Sequence, residues 1–395
     1  MAEVEGFVES GFEGVRDAFV ANFEQHGEVG AAFALHVGGK KVVDIWGGTA
    51  DVRTSRPWTE DTLQLVFSTT KGATAMCANL LIEWGELDVD APVATYWPEF
   101  AQNGKESIPV RMLLNHQAGL YTVDEPTPYA DTLRWDPIVE RLAAQKPLWE
   151  PGTQHGYHAL TYGWLVGEVV RRISGKSLGT FFRDEFATPL GLEFWIGLPK
   201  EEHDRVALLV PSDPPTDPAM REMAEQLMGP NSTMGRALTC SGALTPDETD
   251  SQPGIDSNGF NRPDLWSAEV PAANGVTTAR SLSRLYASLV GPGVDGKRLL
   301  SDETIARATE MQDDFNDSVL MQMPTRFGLG FMLSTPFSPF GGPRSFGHPG
   351  AGGSVGFADP EKDLAFGYVM NKMQSNLAGD PRTLTLIEQS YKAIA

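Results

Sequence analysis

The spacing of apolar residues in the first half of the chain predicts a helix, a hairpin and then a long helical stretch. Apolar side chains recur at helical spacing over residues 7–25, which indicates an amphipathic helix. Two strand-like runs, 31–37 and 41–46, meet at Gly38-Gly39 and indicate a β-hairpin, and we expect Gly47-Gly48 to end its second strand. Further helices are predicted at 68–85, 110–115, 136–145, 159–173 and 178–187.

The second half of the chain changes from irregular sequence to strands. Residues 199–275 follow no clear period, and they include a Pro-rich stretch at 211–218 and an Asp-, Ser-, Pro- and Gly-rich stretch at 245–264. Both stretches are typical of loops, and long loops often form pocket walls. Beyond them we expect a helix at 277–290, strands at 328–333, 352–358 and 364–370, and a last helix at 381–394.

The order of these elements predicts an α/β fold of the α+β kind. Strands lie near both chain ends and helices lie between them, without β-α-β alternation, so the sheet should be largely antiparallel. We expect one sheet domain built from residues 1–65 and 276–395 and flanked by the terminal helices. A mostly helical domain, residues 66–275, is inserted into it. Ser68 falls where the two domains meet, and domain junctions favour pockets.

Composition and charge narrow the class of protein. The 395 residues are 41% hydrophobic and 21% charged, as in globular proteins, and the net charge is −21. This charge argues against nucleic acid or an anionic membrane as partner. The two cysteines offer no zinc spacing. The acidic N-terminus lacks signal-peptide features, and no apolar run could span a bilayer. We expect a cytoplasmic protein without membrane insertion, and homo-oligomerisation stays open.

The stretch Ser68-Thr69-Thr70-Lys71 is the first candidate for chemistry. If a helix begins near Ser68, then Ser68 and Lys71 lie one turn apart on the same face, within reach of each other. A desolvated lysine with a lowered pKa can take the proton of a serine and make it a nucleophile. Helix N-terminal N–H groups would favour an oxyanion there. The alternative is that Ser68 is only an N-cap and Lys71 a surface residue.

Two other patterns compete with this serine. Gly352-Gly353-Ser354-Val355-Gly356 matches G-x-S-x-G, but that motif needs a strand-to-helix turn, and here a strand follows Ser354. We therefore favour a packing role for these glycines and for Ser354. His155 and His158 lie three residues apart without a metal-binding pattern, so no metal is expected.

Two further segments support the Ser68 candidate. Tyr157 lies between helix breakers, where its phenol could point into a cleft and relay protons, or could simply pack. The segment 346–353 is rich in glycine and precedes a strand. Small residues there allow a substrate to approach the backbone, and a strand N–H could complete an oxyanion hole with the N–H of Ser68.

In this order and spacing, the segments at Ser68-Thr69-Thr70-Lys71, Tyr157 and His348-Pro349-Gly350 resemble the motifs of the serine β-lactamase and penicillin-binding protein superfamily. They look most like the family VIII carboxylesterases, which share the class C β-lactamase fold. Residues 113–120 also resemble a structural segment of these proteins. The resemblance implies a β-lactamase/transpeptidase-like fold without cofactor.

The same resemblance implies a role for each matching residue. Ser68 would be the acylated nucleophile, Lys71 a general base and Tyr157 its acid–base partner. The backbone N–H groups of Ser68 and Ala351 would form the oxyanion hole.

Departures from the β-lactamase pattern favour an ester as substrate. His348 stands where β-lactamases have a lysine for the substrate carboxylate, and His158-Ala159 after Tyr157 leaves out an asparagine. We expect Tyr121, His348 and Gly350 to contact a short- or medium-chain acyl ester, with Trp149 and Trp266 nearby. Specificity should lie in residues 120–135 and 211–270. The alternatives are a β-lactamase or D-amino-acid peptidase, an acyltransferase, and a non-catalytic scaffold.

Overall fold

A computed structural model describes residues 3–244, 259–336, 338–375 and 379–395. The predicted loop 245–264 thus lies mostly outside the described residues. The strands in the described ranges are β1 Val4–Val8, β2 Gly30–Val37, β3 Lys40–Asp51, β4 Arg56–Pro57, β5 Gln64–Leu65, β6 Phe194–Trp195, β7 Val276–Thr277, β8 Met332–Leu333, β9 Phe346–Pro349, β10 Val355–Asp359 and β11 Leu364–Met370.

The helices divide between the two chain ends and a long middle section. They are α1 Glu13–Gln25, α2 Thr70–Glu83, α3 Arg111–Leu114, α4 Tyr129–Thr132, α5 Trp135–Ala144, α6 Thr161–Ser174, α7 Leu178–Phe182, α8 Thr188–Leu190, α9 Pro218–Met228, α10 Thr233–Thr239, α11 Pro263–Ser267, α12 Ala279–Ala287, α13 Asp302–Ala308 and α14 Pro381–Ala393. A π-helical segment, Arg183–Ala187, joins α7 to α8.

The main sheet is antiparallel and uses both ends of the chain, as predicted. Its strand order is β1-β3-β2-β11-β10-β9-β8, with β4 paired to β3. The central pairing of β2 with β11 sets Phe33 opposite Tyr368 and so joins the N-terminal hairpin to the C-terminal strands. A small separate sheet, β5-β7-β6, ties the start of the Ser68 segment to residues 276–277.

Side-chain alternation along the central strands gives the sheet two different faces. Phe33 and Leu35 of β2 pack in the same apolar cluster as residues of α1 and α14, whereas Ala32 and Ala34 face the cluster that contains α12. The α12 face carries small residues because the helix lies close: a Cβ at Gly367 would stand 2.5 Å from the carbonyl oxygen of Ala279. Period-two alternation therefore sorts large and small side chains onto opposite faces.

The N-terminal elements correct two predictions. Helix α1 begins only at Glu13, because Phe7 and Val8 belong to β1, which pairs with β3 and leaves Phe7 exposed. Strand β3 also continues through Gly47-Gly48 to Asp51. A Cβ at Gly47 would lie 2.6 Å from the carbonyl oxygen of Glu3, so this glycine permits close approach of the edge strand and does not end β3.

The C-terminal third contains the three predicted strands, with some changes of boundary, and one further strand. Strand β11 has the predicted bounds. Strand β10 begins at Val355, since Ala351–Gly353 form a turn, and β9 was not predicted as a strand. Only Met332–Leu333 of the predicted strand 328–333 is extended. The interval 199–275, expected to be irregular, contains α9, α10 and α11.

In the described part of the chain, no helix is long and apolar enough to cross a membrane. The predicted domain boundaries, the cytoplasmic location and the oligomeric state stay predictions.

Candidate active site

Ser68 lies in a tight turn between the small sheet and helix α2. The turn Phe67–Thr69 is a 3₁₀ segment, and Phe67 takes a positive φ of 45°, which is unfavourable for a residue with a side chain. Thr70 stabilises the turn: its hydroxyl donates to the carbonyl of Phe67 at 2.6 Å and accepts from the N–H of Gly275 at 2.8 Å. Ser68 is thereby fixed at the wall of a cavity.

Lys71 is fully buried in the first turn of α2 and its Nζ meets three oxygen atoms. These are Ser68 Oγ at 2.9 Å and the carbonyl oxygens of Ala159 at 2.6 Å and Ala272 at 3.0 Å. No carboxylate pairs with this amine in the described residues. Burial therefore holds the pKa of Lys71 well below its ordinary 10.5. A neutral amine can donate its two N–H bonds to the carbonyls and keep its lone pair for the Ser68 hydroxyl.

Tyr157 closes the same group of side chains from the opposite side. Its ring lies beneath Lys71, with Nζ 4.7 Å from the ring centroid, and its phenol hydrogen-bonds with Ser68. Burial raises the pKa of Tyr157 above its ordinary value, and the hydrogen bond with Ser68 opposes this shift. The phenol is therefore protonated near neutral pH and can donate its proton.

A residue that sequence reasoning missed, Asp317, holds Tyr157 in place. Asp317 is completely buried, and its Oδ1 accepts hydrogen bonds from the backbone N–H groups of Tyr157 at 3.0 Å, Val319 at 2.9 Å and Leu320 at 2.9 Å. Its Oδ2 accepts from the hydroxyl of Thr325 at 3.1 Å. Nothing in the local pattern of the loop marks this aspartate, because its main partner lies 160 residues away in the chain.

The third predicted segment, on β9 and the turn after it, lines the same end of the cavity as Ser68. His348 is buried on β9, and its ring stacks on that of Tyr157 with centroids 5.9 Å apart. Its Nδ1–H donates to the carbonyl of Pro349 at 2.7 Å. Burial, together with the positive charge that Lys71 can carry, lowers the pKa of His348 to about 3. His348 is therefore neutral near neutral pH and cannot replace the charge of a lysine.

Gly350 and Ala351 carry the chain past the Ser68 turn. A Cβ at Gly350 would lie 2.2 Å from the carbonyl oxygen of Val66, so only glycine allows this approach. Ala351 is exposed in the turn Ala351–Gly353 and lines the cavity. The turn thus brings backbone of residues 350–353 beside the segment that carries Ser68.

Ser354, the serine of the competing motif, is buried, and its hydroxyl forms hydrogen bonds with the segment that carries Ser68. Its hydroxyl donates to the carbonyl of Val66 at 2.9 Å and lies 3.1 Å from the hydroxyl of Thr69. It has no histidine or lysine among its hydrogen-bond partners in the described residues. Ser354 therefore ties strand β10 to the Ser68 turn, which is the packing role expected from the sequence.

The cavity in front of Ser68 has a volume of about 200 Å³ and is mostly apolar. Ser68, Tyr157, His348 and the 350–353 turn form one end. The rest comes from six places in the chain: Leu238; 320–325; Met332; 338–340; 354–355; and 379–387. Residues 120–135 contribute nothing to this lining, and 211–270 contributes Leu238 alone among its described residues. Most of the described lining therefore comes from outside the two predicted segments, and the location of specificity stays a prediction.

Three aromatic residues proposed near the substrate lie away from this cavity. Tyr121 is buried and stacks on Trp149, with centroids 5.6 Å apart and an interplanar angle of 9°. Trp266 donates from its indole N–H to the carbonyl of Phe260 at 2.7 Å. None of the three is among the residues that line the cavity.

His155 and His158 serve as buried hydrogen-bonding residues. Nδ1 of His155 lies 2.5 Å from Oδ1 of Asp313, and Nε2 of His158 accepts from the N–H of Leu120 at 2.9 Å. Within the ranges that the structure describes, no group of three or more histidine, cysteine or acidic side chains is arranged to hold a metal ion.

Comparison with known proteins gives the family. The sequence model of the Beta-lactamase family matches residues 15–389. A curated relative, "Esterase/beta-lactamase LipL" of Mycobacterium tuberculosis (strain ATCC 25618 / H37Rv), is 36% identical over 381 residues, which cover 94% of this chain and 84% of LipL.

Two solved structures match nearly the whole chain. A family VIII carboxylesterase is 40% identical with a TM-score of 0.87, over 99% of this chain and 100% of that one. A penicillin-binding protein homolog from Caulobacter crescentus is 38% identical with a TM-score of 0.81, over 99% and 100%.

The chain belongs to the beta-lactamase family, and it is a serine hydrolase with the mixed α/β fold of that family.

Proposed function

We propose that this serine hydrolase is a carboxylesterase that cleaves short- to medium-chain acyl esters through an acyl-enzyme on Ser68. The observation that carries the proposal is the placement of Lys71. Its Nζ is buried without a carboxylate partner in the described residues, is held by two carbonyls, and lies 2.9 Å from Ser68 Oγ. This arrangement favours a neutral amine directed at the serine hydroxyl.

Acylation follows from this geometry. Ser68 Oγ attacks the ester carbonyl carbon while its proton passes to Lys71 Nζ. Tyr157, protonated near neutral pH, donates its proton to the alcohol oxygen as the bond to the carbonyl carbon breaks, and Lys71 returns a proton to the phenolate. The acyl group is then an ester of Ser68. Water, deprotonated by the same pair, releases the carboxylic acid and restores Ser68.

The negative charge on the carbonyl oxygen needs fixed donors during both steps. We assign this role to the backbone N–H groups of Ser68 and Ala351. Both residues line the cavity, and Gly350 packs against the carbonyl of Val66 beside them. Removing one such donor from an acyl-transfer site typically lowers kcat by about 10²–10³.

Charge in the cavity favours a neutral ester over an anionic substrate. His348 is neutral, and Asp380 is the one charged side chain among the described lining residues. A substrate carboxylate, such as a β-lactam carries, would therefore find no cation among the lining residues, and the charge of Asp380 is already balanced by Arg382. The name of LipL includes both activities, so β-lactam hydrolysis is the second candidate.

The test is hydrolysis of p-nitrophenyl acetate and butyrate, with nitrocefin as the β-lactam. We expect ester turnover that is lost in Ser68→Ala and kept in Ser354→Ala, with nitrocefin turnover much lower. Full ester hydrolysis by Ser68→Ala would disprove the assignment. Nitrocefin turnover at the rate of the ester would favour the second candidate.

A further inference from the structure

A buried arginine lies behind the turn that carries Ala351. Arg382, in the first turn of α14, is completely buried, which is rare for an arginine. Two carboxylates balance its charge: Asp380, whose Oδ2 is 2.6 Å from Nη2, and Glu28, whose Oε2 is 3.0 Å from Nη1. Tyr368 in turn donates its hydroxyl to Glu28.

The remaining N–H groups of Arg382 bind two backbone carbonyls. Nη1 donates to the carbonyl oxygen of Lys372 at 2.8 Å, and Nη2 donates to that of Gly352 at 2.5 Å. The carbonyl of Gly352 also accepts from the N–H of Gln374 at 3.1 Å. The guanidinium therefore joins α14, the end of β11 and the turn Ala351–Gly353.

Within this turn, one backbone hydrogen bond, from Gly353 N–H to the carbonyl of Gly350 at 3.2 Å, holds two flexible residues. Gly352 and Gly353 both take positive φ, 85° and 127°, and glycine is the most flexible residue. Gly353 also lies directly against the ion pair: a Cβ there would stand 2.4 Å from Asp380 Oδ2 and 2.5 Å from Arg382 Nη2. On the other side, Gly350 N–H donates to the carbonyl of Ser354 at 2.6 Å. Ala351 thus lies between two anchored points.

We propose that Arg382 is a positioning residue for the oxyanion hole. By fixing the carbonyl of Gly352, it restrains the Gly352–Gly353 peptide unit and, through this short turn, the backbone of Ala351, whose N–H we assign as an oxyanion donor. The ion pairs with Asp380 and Glu28 orient the guanidinium so that Nη2 points at the carbonyl oxygen of Gly352. The inference rests on the proposed function, since it gives Arg382 a role only if Ser68 forms a tetrahedral intermediate. Misplacement of a catalytic group by about 1 Å can lower rates about 10²-fold.

The test compares an ester with its thionoester, in which sulfur replaces the carbonyl oxygen. A well-placed oxyanion hole accelerates the oxygen ester far more than the sulfur analogue, because sulfur is larger and accepts hydrogen bonds poorly. Arg382→Lys keeps the charge but cannot bind both carbonyls and both carboxylates. We expect its kcat for the ester to fall about tenfold or more, and the ester-to-thionoester ratio of kcat/KM to fall with it.

Two further variants keep the result interpretable. Arg280→Lys is the control, since Arg280 also pairs with a carboxylate, that of Asp44, and neither residue lines the cavity. It should leave the ratio unchanged. If Arg382→Lys does not fold, Glu28→Gln assayed at pH 8 gives the same readout, because it weakens the hold on the guanidinium at nearly constant volume and Glu28 does not line the cavity.

The outcomes separate the inference from the proposed function. Ester turnover by the wild type that does not depend on Ser68 would disprove the proposed function. Ser68-dependent turnover with a thionoester ratio unchanged in Arg382→Lys would disprove the positioning role alone, and would assign Arg382 to stability only. A lower ratio in Arg382→Lys with an unchanged ratio in Arg280→Lys supports the inference.

Discussion

Lys71 Nζ lies 2.9 Å from Ser68 Oγ, and its two other hydrogen bonds go to the main-chain carbonyls of Ala159 and Ala272. Carbonyls accept hydrogen bonds but carry no full charge, so they orient the amine without stabilising its protonated form as a carboxylate would. This relationship lets one lysine be both buried and directed at the nucleophile. It also determines how activity should depend on pH.

The pH profile of ester hydrolysis should report the lowered pKa of Lys71. The amine acts as a base only when neutral, so kcat/KM falls as pH falls through its pKa. Because burial holds this pKa well below 10.5, we expect kcat/KM to reach its plateau well before the pH at which an exposed lysine loses its proton. A kcat/KM that still rises tenfold per pH unit near pH 10 would contradict this.

Removing the amine tests the same role of Lys71. Lys71→Met should lower kcat for ester hydrolysis by about 10²–10⁴-fold.

The width of the cavity should limit the length of the substrate. Leu384 and Ile387 of α14 line the cavity next to Phe340. Leu384→Ala opens the cavity at its rim, so we expect the ratio of kcat/KM for hexanoate over butyrate esters to rise about 5- to 50-fold. A second series of esters, varied in the alcohol part, shows whether the cavity binds the acyl group or the alcohol group. Leu148→Ala, at an exposed apolar position outside the lining, is the control. Equal ratios in both variants, for both series, would exclude this assignment.

Asp317 should be needed for activity although it lies outside the cavity. Asp317→Ala leaves the N–H groups of Tyr157, Val319 and Leu320 without an acceptor. We expect a loss of about 3–5 kcal/mol in the free energy of unfolding and a fall of about 10- to 100-fold in kcat as Tyr157 moves. Asp317→Asn keeps an oxygen that can accept these hydrogen bonds. It should therefore recover most of the unfolding free energy and most of kcat. A full kcat in folded Asp317→Ala would show that Tyr157 is held by other contacts.

Glu28 should make stability fall as pH rises. Its burial raises the pKa from the ordinary 4.5 to about 7, against the attraction of Arg382. The folded state therefore binds a proton more tightly than the unfolded state. The stabilisation that this provides is full below about pH 4.5 and is lost as pH rises to about 7. Relative to Glu28→Gln, which does not titrate, the wild type should lose about 3 kcal/mol of unfolding free energy across this window. Denaturant unfolding of both proteins at pH 5 and 8 measures the difference. A constant difference would mean that Glu28 stays ionised.

We expect that only glycine fits at position 72 without strain, because the side chain of Tyr286 lies directly against it. A Cβ at Gly72 would lie 2.1 Å from the Tyr286 hydroxyl oxygen, which is buried and has no hydrogen-bond partner in the described part of the chain. Gly72→Ala should lower the unfolding free energy by about 1–3 kcal/mol. Tyr286→Phe should change it by less than about 1 kcal/mol, since no hydrogen bond is lost. In the double variant we expect the clash to be relieved, with a favourable coupling of about 1 kcal/mol or more. Additive effects would contradict a direct contact.

Short-range patterns determined much of this protein. Helical spacing after Ser68 indicated α2 and placed Lys71 on the face of the serine, because the α-helix brings residues three apart together whatever surrounds them. Apolar runs likewise identified the hairpin of β2 and β3 and the bounds of β11. The absence of β-α-β alternation was enough to predict an antiparallel sheet.

Tertiary structure decided the partners of the buried charges and the shape of the cavity. Periodicity shows that a segment has an apolar face, but it does not show which distant polar group will meet it. The bond from Asp317 to Tyr157 spans 160 residues, and that from Arg382 to Glu28 spans 354. The sequence predicted that Gly47 ends a strand. In the folded protein this glycine instead lets β1 pack closely against β3, and only the pairing of the two strands shows this. The cavity lining comes from segments that carry no motif, and packing alone brings them in front of Ser68.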